Sequence, residues 1–130
     1  MKFLFIGLLI TVSGLNAVGQ NVSGTPAAIS KDVDVKEFNR LIQEQPGLVL
    51  DVRTQGEVSK GAIANSVNLD FFNDNFESEV DKLDKAKPVY VYCASGGRSS
   101  EAMDLMHRKG FNKVYNLEGG YNAWKKDMVK

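Results

Sequence analysis

The chain has 130 residues, enough for one domain, and its 16 Lys and Arg residues balance 16 Asp and Glu residues, so its formal net charge is zero. This balance argues against a nucleic-acid-binding protein, which usually carries a basic excess. A hydrophobic fraction of 43% and a charged fraction of 25% are typical of a folded globular protein. A single cysteine excludes an intramolecular disulfide framework and a cysteine-rich metal site, and a single histidine argues against a serine–histidine triad.

The first 19 residues have the pattern of a secretory signal peptide. Lys2 precedes an apolar run that is too short to span a bilayer, which needs ~20 apolar residues. Small residues then predict cleavage between Gly19 and Gln20, although an uncleaved anchor or a buried helix is the alternative. We therefore expect an exported protein, periplasmic or secreted, without a stable membrane anchor after cleavage. A flexible lead-in is predicted over residues 20–30, followed by one domain over residues 31–130.

The first half of the domain alternates helical and extended patterns. Asp34 predicts a helix N-cap, with Glu37 three residues later in a capping-box arrangement, and Pro46 ends the helix. The continuous apolar run that follows is typical of a strand buried on both faces. The predicted elements here are a strand over residues 48–52, a short strand over 67–69 and a helix over 73–83.

The second half continues the same alternation. Its predicted elements are a strand over residues 88–92, a helix over 99–109 that ends at Gly110, a strand over 113–117, and a last helix whose Tyr121 and Trp124 pack onto the sheet. In the helix over residues 99–109, Glu101 is expected in the first turn and His107 in the last turn. No catalytic role is expected for His107. Alternating strands and helices indicate an α/β protein with a mainly parallel sheet. Ligands of such sheets bind beyond the carboxyl ends of the strands.

Residues 93–99 (CASGGRS) lie at such a strand end. Glycines allow a tight loop to turn its backbone N–H groups inward as an anion-binding nest, and the positive end of the next helix points at the same place. A thiol there should be acidic, because helix N-termini and nearby cations lower cysteine pKa values to roughly 3.5–7.5. Most lone cysteines are inert buried residues, but this context favours a reactive Cys93.

Four stretches together resemble a single-domain rhodanese, a sulfurtransferase. They are residues 51–57, similar to the DVR-x-x-x-E segment of that family; residues 61–68, similar to its GHIxGAxN segment; residues 92–99, similar to its active-site loop; and residues 110–124, similar to its C-terminal signature. Together they cover about residues 30 to 128, nearly all of the predicted domain. The resemblance implies a rhodanese-like fold, with a central, mainly parallel five-stranded sheet and helices on both faces.

The resemblance also implies a mechanism that needs no metal or organic cofactor. Cys93 is the expected nucleophile, which takes sulfur from a small anionic donor such as thiosulfate as a persulfide and passes it to cyanide or a thiol. Backbone N–H groups of the loop are expected to stabilise the persulfide, and Arg98 to bind the donor. The residues expected to bind substrate are Ala94, Ser95, Gly96, Gly97, Arg98 and Ser99. A monomer is expected, with a protein thiol as a possible acceptor.

Three residues near the second strand are expected to support the site. We predict that Arg53 and Glu57 form a structural ion pair that fixes the loop, and that Asp51 orients its neighbours as a hydrogen-bond acceptor. Phe71 and Phe72 are expected to be buried, although a patch for a partner is the alternative.

Two positions depart from the family pattern. Ala94 follows the cysteine directly, where many thiosulfate-using members have a basic residue, and Ala62 stands where histidine is common. Four residues separate Cys93 from Arg98, whereas cysteine-dependent phosphatases place five there, which argues against phosphatase activity. Three further classes stay open: a persulfide carrier that delivers sulfur to a protein, a redox-sensing thiol protein, and a non-catalytic binding module, which the intact Cys93 and Arg98 disfavour.

Overall fold

A computed structural model describes residues 27–129, which form a five-stranded sheet in the order β1-β5-β4-β2-β3 with every pair of neighbours parallel. The strands are β1 (Ile29–Val33), β2 (Leu48–Asp51), β3 (Val67–Asn68), β4 (Val89–Tyr92) and β5 (Lys113–Leu117). The predicted parallel α/β architecture is therefore confirmed. The predicted signal peptide lies outside the described residues.

Helices cover both faces of the sheet. They are α1 (Val35–Glu44), α2 (Gln55–Val58), α3 (Phe76–Asp81), α4 (Gly97–Arg108) and α5 (Gly120–Met128). One apolar cluster joins α1 and α5 to one face of the sheet, and a second cluster joins α3 and α4 to the other face. As predicted, Tyr121 and Trp124 pack the last helix onto the sheet. Within residues 27–129, no helix is both long enough and apolar enough to cross a membrane.

Strand β1 is the element that the sequence pattern did not predict. Most of its residues (ISKDV) are partly or fully exposed, because it lies at the edge of the sheet and, within residues 27–129, pairs only with β5. An edge strand of this kind lacks the continuous apolar run that identifies a buried parallel strand. Because β1 begins at Ile29, the last two residues of the predicted lead-in belong to the sheet.

Two predicted helix starts also differ from the structure. The side chain of Asp34 caps α1 as predicted, but the Glu37 carboxylate binds Arg40, and the complete capping box is that of Thr54 and Glu57 in α2. Helix α4 begins at Gly97, two residues earlier than predicted, so no acidic residue lies in its first turn and the prediction for Glu101 is wrong. The glycine-rich loop therefore leads directly into the helix.

The strand order fixes the place of the site. Strand β4 lies at the centre, between β2 and β5, and is buried along its whole length. The segments that leave the carboxyl ends of these three strands are therefore neighbours at one edge of the sheet. They carry Arg53 after β2, Cys93 after β4 and Gly120 after β5, and Asp51 is the last residue of β2.

Candidate active site

Cys93 follows β4 directly, and its loop is closed by a glycine with left-handed backbone. Gly96 has φ +109° and is the N-cap of α4, a conformation that residues with a side chain rarely adopt. This turn directs the Gly96 N–H back toward Cys93, whose sulfur accepts from it at 3.1 Å. The cysteine itself is 1% exposed.

The Cys93 sulfur also accepts a hydrogen bond from the hydroxyl of Ser99, a fully buried residue in the first turn of α4, at 3.3 Å. Burial raises the pKa of the thiol. The hydrogen bond from the Ser99 hydroxyl and those from the backbone N–H groups of Ser99, Gly96 and Ser95 outweigh this effect, so the pKa lies below its ordinary value. The geometry therefore favours a thiolate held by donors, as expected for the loop.

Helix α5 holds the same loop from the other side. The N–H groups of Tyr121 and Asn122 donate to the carbonyls of Cys93 and Ala94, at 2.8 and 3.0 Å. Gly120 lies so close that a Cβ there would be 2.5 Å from the Ala94 carbonyl oxygen. Only a residue without a side chain fits this approach. From the sequence, residues 118–120 either border the pocket or form a plain turn, and the structure places Gly120 directly against the active-site loop.

Arg98, at the end of the loop and in the first turn of α4, is bound to a carboxylate. Its two terminal nitrogens donate to the two oxygens of Glu57, at 2.9 and 2.8 Å, which is the bidentate geometry that favours arginine–carboxylate pairs. The bond from Arg98 lowers the pKa of Glu57 to about 2, with further bonds from Thr54. This pair therefore stays ionised at all but strongly acidic pH.

The predicted ion pair between Arg53 and Glu57 is wrong. The guanidinium of Arg53 binds Asp51 instead, with Nη2 at 2.7 Å from Oδ2, and both residues are buried. Arg53 also donates to the carbonyl of Gly61 and lies 4.3 Å from the ring centroid of Tyr121. Glu57 is therefore available to bind Arg98 of the active-site loop. Asp51 is the hydrogen-bond acceptor that the sequence predicted.

Four other positions that the sequence analysis singled out make no hydrogen bond to the thiol among residues 27–129. His107 is exposed in the last turn of α4, as expected, and Ala62 is exposed. Phe71 packs on Phe76, but Phe72 is 66% exposed, so its predicted burial is wrong. Its ring lies 5.5 Å from the Arg98 guanidinium carbon, which places an apolar group beside the site.

Asn116 of β5 is a site residue that sequence reasoning missed. It is 3% exposed, and its amide donates to Asp32 at 2.9 Å and, weakly, to the carbonyl of Gly96 at 3.5 Å. Asn116 therefore links the active-site loop to strands β5 and β1. The available signal was a polar residue inside an otherwise buried strand. No three His, Cys, Asp or Glu side chains in residues 27–129 form a group that could hold a metal ion.

A buried cysteine whose sulfur accepts hydrogen bonds from a loop N–H group and a hydroxyl, between a parallel strand and a helix, has a geometry that suits cysteine-based covalent chemistry. The sequence model of the rhodanese-like domain family matches residues 34–127, and the chain belongs to this family. A thiosulfate sulfurtransferase, GlpE, of Coxiella burnetii is 35% identical over 95 residues, which cover 73% of this chain and 87% of the relative.

The chain is also similar to a much longer protein and to solved structures of single domains. A tRNA uridine(34) hydroxylase of Pelagibacter ubique is 37% identical over 99 residues, which cover 75% of this chain but only 33% of that protein. The chain thus spans about a third of the hydroxylase. Among solved structures, a rhodanese-like domain protein of Staphylococcus aureus superimposes with a TM-score of 0.66 at 27% identity, covering 77% of this chain and 96% of that one. A rhodanese-related protein of Thermoplasma volcanium gives 0.67 at 29%, covering 77% and 95%.

Replacing Ser99 with alanine should raise the pKa of Cys93, because the thiolate loses a hydroxyl donor while its burial is unchanged. The pH profile of alkylation by iodoacetamide should therefore shift to higher pH. The neighbouring Ser100→Ala variant is the control, since the Ser100 side chain makes no bond to the sulfur. An unchanged profile in Ser99→Ala would show that the hydroxyl does not stabilise the thiolate.

Replacing Asp51 with alanine should destabilise the fold by about 3–5 kcal/mol, because the buried Arg53 charge loses its partner. Unfolding in urea measures the change. The double variant Asp51→Ala/Arg53→Met should recover much of the loss, since it removes the unpaired charge as well. A loss below about 1 kcal/mol in the single variant would contradict a structural role for this pair.

Proposed function

We propose that the protein is a sulfurtransferase that carries a sulfane sulfur on Cys93 as a persulfide. The observation that supports this best is the sulfur of Cys93, buried yet bound by the Gly96 N–H and the Ser99 hydroxyl. The family membership and the similarity to a thiosulfate sulfurtransferase over nearly all of that relative support the same class. If residues 1–19 direct export, as the sequence predicts, the reaction takes place outside the cytoplasm.

In the first half-reaction, the Cys93 thiolate attacks the outer sulfur of thiosulfate. A new sulfur–sulfur bond forms while the bond between the two sulfurs of thiosulfate breaks, and sulfite leaves with the electron pair of the broken bond. The total charge is unchanged, because the thiolate becomes a persulfide anion and one dianion replaces another. A lowered thiol pKa serves this step, since the thiolate is the nucleophile.

In the second half-reaction, an acceptor such as cyanide or a thiolate attacks the outer sulfur of the persulfide. The bond between the two persulfide sulfurs breaks, and its electron pair returns to Cys93 as the thiolate. The outer persulfide sulfur carries the negative charge between the two steps. The backbone N–H groups of Ser95, Gly96 and Ser99, which already face the Cys93 sulfur, are suited to stabilise this charge, because such donors are worth most in a site shielded from water.

Arg98 contributes charge to the mouth of the site, but its guanidinium already binds Glu57 at both oxygens. An anionic donor therefore meets an arginine whose charge is largely compensated. We propose that Arg98 and Glu57 mainly hold the loop against α2, and that Arg98 contributes to donor binding through its remaining positive field.

A persulfide carrier that delivers sulfur to a protein thiol is the second candidate. The exposed ring of Phe72 beside Arg98 favours it, because exposed aromatic residues are frequent anchors of protein interfaces. Fast transfer to cyanide would favour the enzyme, whereas slow transfer to cyanide with fast transfer to a protein thiol would favour the carrier.

Steady-state kinetics with thiosulfate and cyanide test the enzyme proposal. A persulfide intermediate predicts parallel double-reciprocal lines, the ping-pong pattern, for the wild type. The Cys93→Ser variant should have no turnover above background while its unfolding curve stays close to that of the wild type. Ser100→Ala, a position in α4 whose side chain makes no bond to the sulfur, serves as the matched control and should keep most of the activity. Turnover in Cys93→Ser would refute the assigned nucleophile.

A further inference from the structure

Phe72 is an exposed aromatic residue beside the active-site loop. It is 66% exposed, and its ring lies 5.5 Å from the guanidinium carbon of Arg98. The neighbouring Phe71 packs against the apolar cluster that contains Cys93 and Phe76. Phe71 and Cys93 therefore share one face of the sheet, and Phe72 extends this face to the surface.

Arg98 also has the thiol and an acidic neighbour of Phe72 close by. The bonds to Glu57 do most to raise the pKa of Arg98, and the charges of Cys93 and Asp70 raise it further. Cys93 and Asp70 therefore both lie within electrostatic range of one guanidinium. The surface around Phe72 is thus near the mouth of the site through side chains of separate elements.

The backbone around Phe72 holds its ring in place. The N–H of Phe71 donates to the carbonyl of Val52 at 3.1 Å, and the carboxylate of Asp70 accepts from the N–H of Phe72 at 2.9 Å. The rings of Phe71 and Phe72 meet edge to face, with their centroids 5.9 Å apart. A side chain that is already ordered loses little entropy when a partner binds it, which suits an anchor.

The segment that contains Phe72 is acidic. Residues 61–81 include five carboxylates and no Lys or Arg. Three of the five are bound by Lys82 or Lys109, namely Glu77, Glu79 and Asp81. Asp70 and Asp74, which stand two residues before and after Phe72, form no ion pair with any residue between 27 and 129. We call Asp70, Phe72 and Asp74 together the Phe72 surface.

This surface attracts positive charge in two ways. An aromatic ring attracts a cation over its face, and two unpaired carboxylates add to that attraction. Arg98 does not cancel them, because Glu57 binds it at both oxygens. A cavity of about 420 Å³ begins beside the ring at Asp70 and Asn73, and both of its charged lining residues in the described part of the chain, Asp70 and Glu79, are acidic. A basic group is therefore the complementary partner.

The identity of the partner follows from its need for a thiol. A second copy of this chain offers no other thiol, because Cys93 is the only cysteine in the sequence. A small thiol is too short to contact an exposed ring, two carboxylates and the thiol together. A protein segment with basic residues beside a cysteine meets both demands.

We propose that the Phe72 surface docks a sulfur-accepting protein whose cysteine is flanked by Arg or Lys residues. The proposal rests on the proposed function for the sulfur that is transferred. The acceptor thiolate attacks the outer sulfur of the Cys93 persulfide, a sulfur–sulfur bond forms on the acceptor, and the electron pair of the broken bond returns to Cys93. The basic residues also favour this step, because nearby cations lower the pKa of a thiol.

Direct binding tests the docking surface without sulfur transfer. The Cys93→Ser protein is titrated under reducing conditions with a short peptide in which one cysteine lies between arginines, and backbone amide shifts are followed by NMR. The amides of Phe72 and Asp74 should shift and saturate. A peptide of the same length with glutamates in place of the arginines should shift them far less at the same concentration.

Two variants in the same background locate the binding energy. Asp70→Asn/Asp74→Asn removes both charges but keeps an oxygen that accepts from the Phe72 N–H, and it should raise the Kd of the arginine peptide about three- to tenfold. Phe72→Ala should raise this Kd about two- to fivefold, the range of an exposed cation–aromatic contact.

The matched control is Asp104→Asn/Asp127→Asn, which replaces two exposed carboxylates of α4 and α5 that lie outside the Phe72 surface. It removes the same charge and should leave the Kd within about twofold. The proposal is overturned if both double variants weaken binding equally, or if the arginine peptide shifts neither Phe72 nor Asp74. Concentration-dependent shifts of these amides without peptide would assign the surface to a second copy of this chain and would also overturn it.

Transfer rates separate docking from chemistry in the protein that retains Cys93. The protein is first loaded with one sulfur, which intact mass verifies, and is then mixed with the arginine peptide or with N-acetylcysteine amide, a small neutral thiol. Asp70→Asn/Asp74→Asn should slow transfer to the peptide about three- to tenfold and leave transfer to the small thiol within about twofold. Equal slowing of both would contradict docking. A wild type that cannot be loaded would refute the proposed function alone, because the titration decides the docking surface by itself.

Discussion

The Cys93 sulfur is almost completely buried, so as a thiolate it needs protein donors in place of the water it has lost. The loop supplies these donors through the left-handed turn at Gly96 and the hydroxyl of Ser99. The carbonyls of Cys93 and Ala94 accept hydrogen bonds from the first N–H groups of α5, where Gly120 allows the helix to approach the loop closely. The loop therefore donates hydrogen bonds to the sulfur and accepts hydrogen bonds from α5.

Two arginine–carboxylate pairs keep this arrangement in place. Asp51, the last residue of β2, and Arg53 form a buried pair, and Arg53 also donates to the carbonyl of Gly61, which joins the end of β2 to the segment that follows α2. Glu57 and Arg98 join α2 to the start of α4. Both arginines are paired, so the positive charge that either presents to an incoming anion is largely compensated.

The sequence predicted the parts of this structure that depend on local pattern. The buried strands and the reactive loop follow from apolar runs and from the glycines after Cys93. Edge strand β1 could not be predicted in this way, because its half-exposed residues have no strand pattern of their own. The partner of Glu57 could not be predicted either. Arg53 is four residues away and Arg98 is 41 residues away, and only tertiary packing decides between them. Gly120 and Asn116 likewise act through neighbours that are distant in the chain.

The central claim is that the buried Cys93 thiolate accepts and releases one sulfur atom. Intact mass of the reduced protein, measured before and after thiosulfate and again after cyanide, tests it most directly. The account predicts the gain of one sulfur atom, located on the peptide that contains Cys93, and its complete removal by cyanide. A mass that stays unchanged under thiosulfate would contradict the account, as would an added sulfur that cyanide cannot remove.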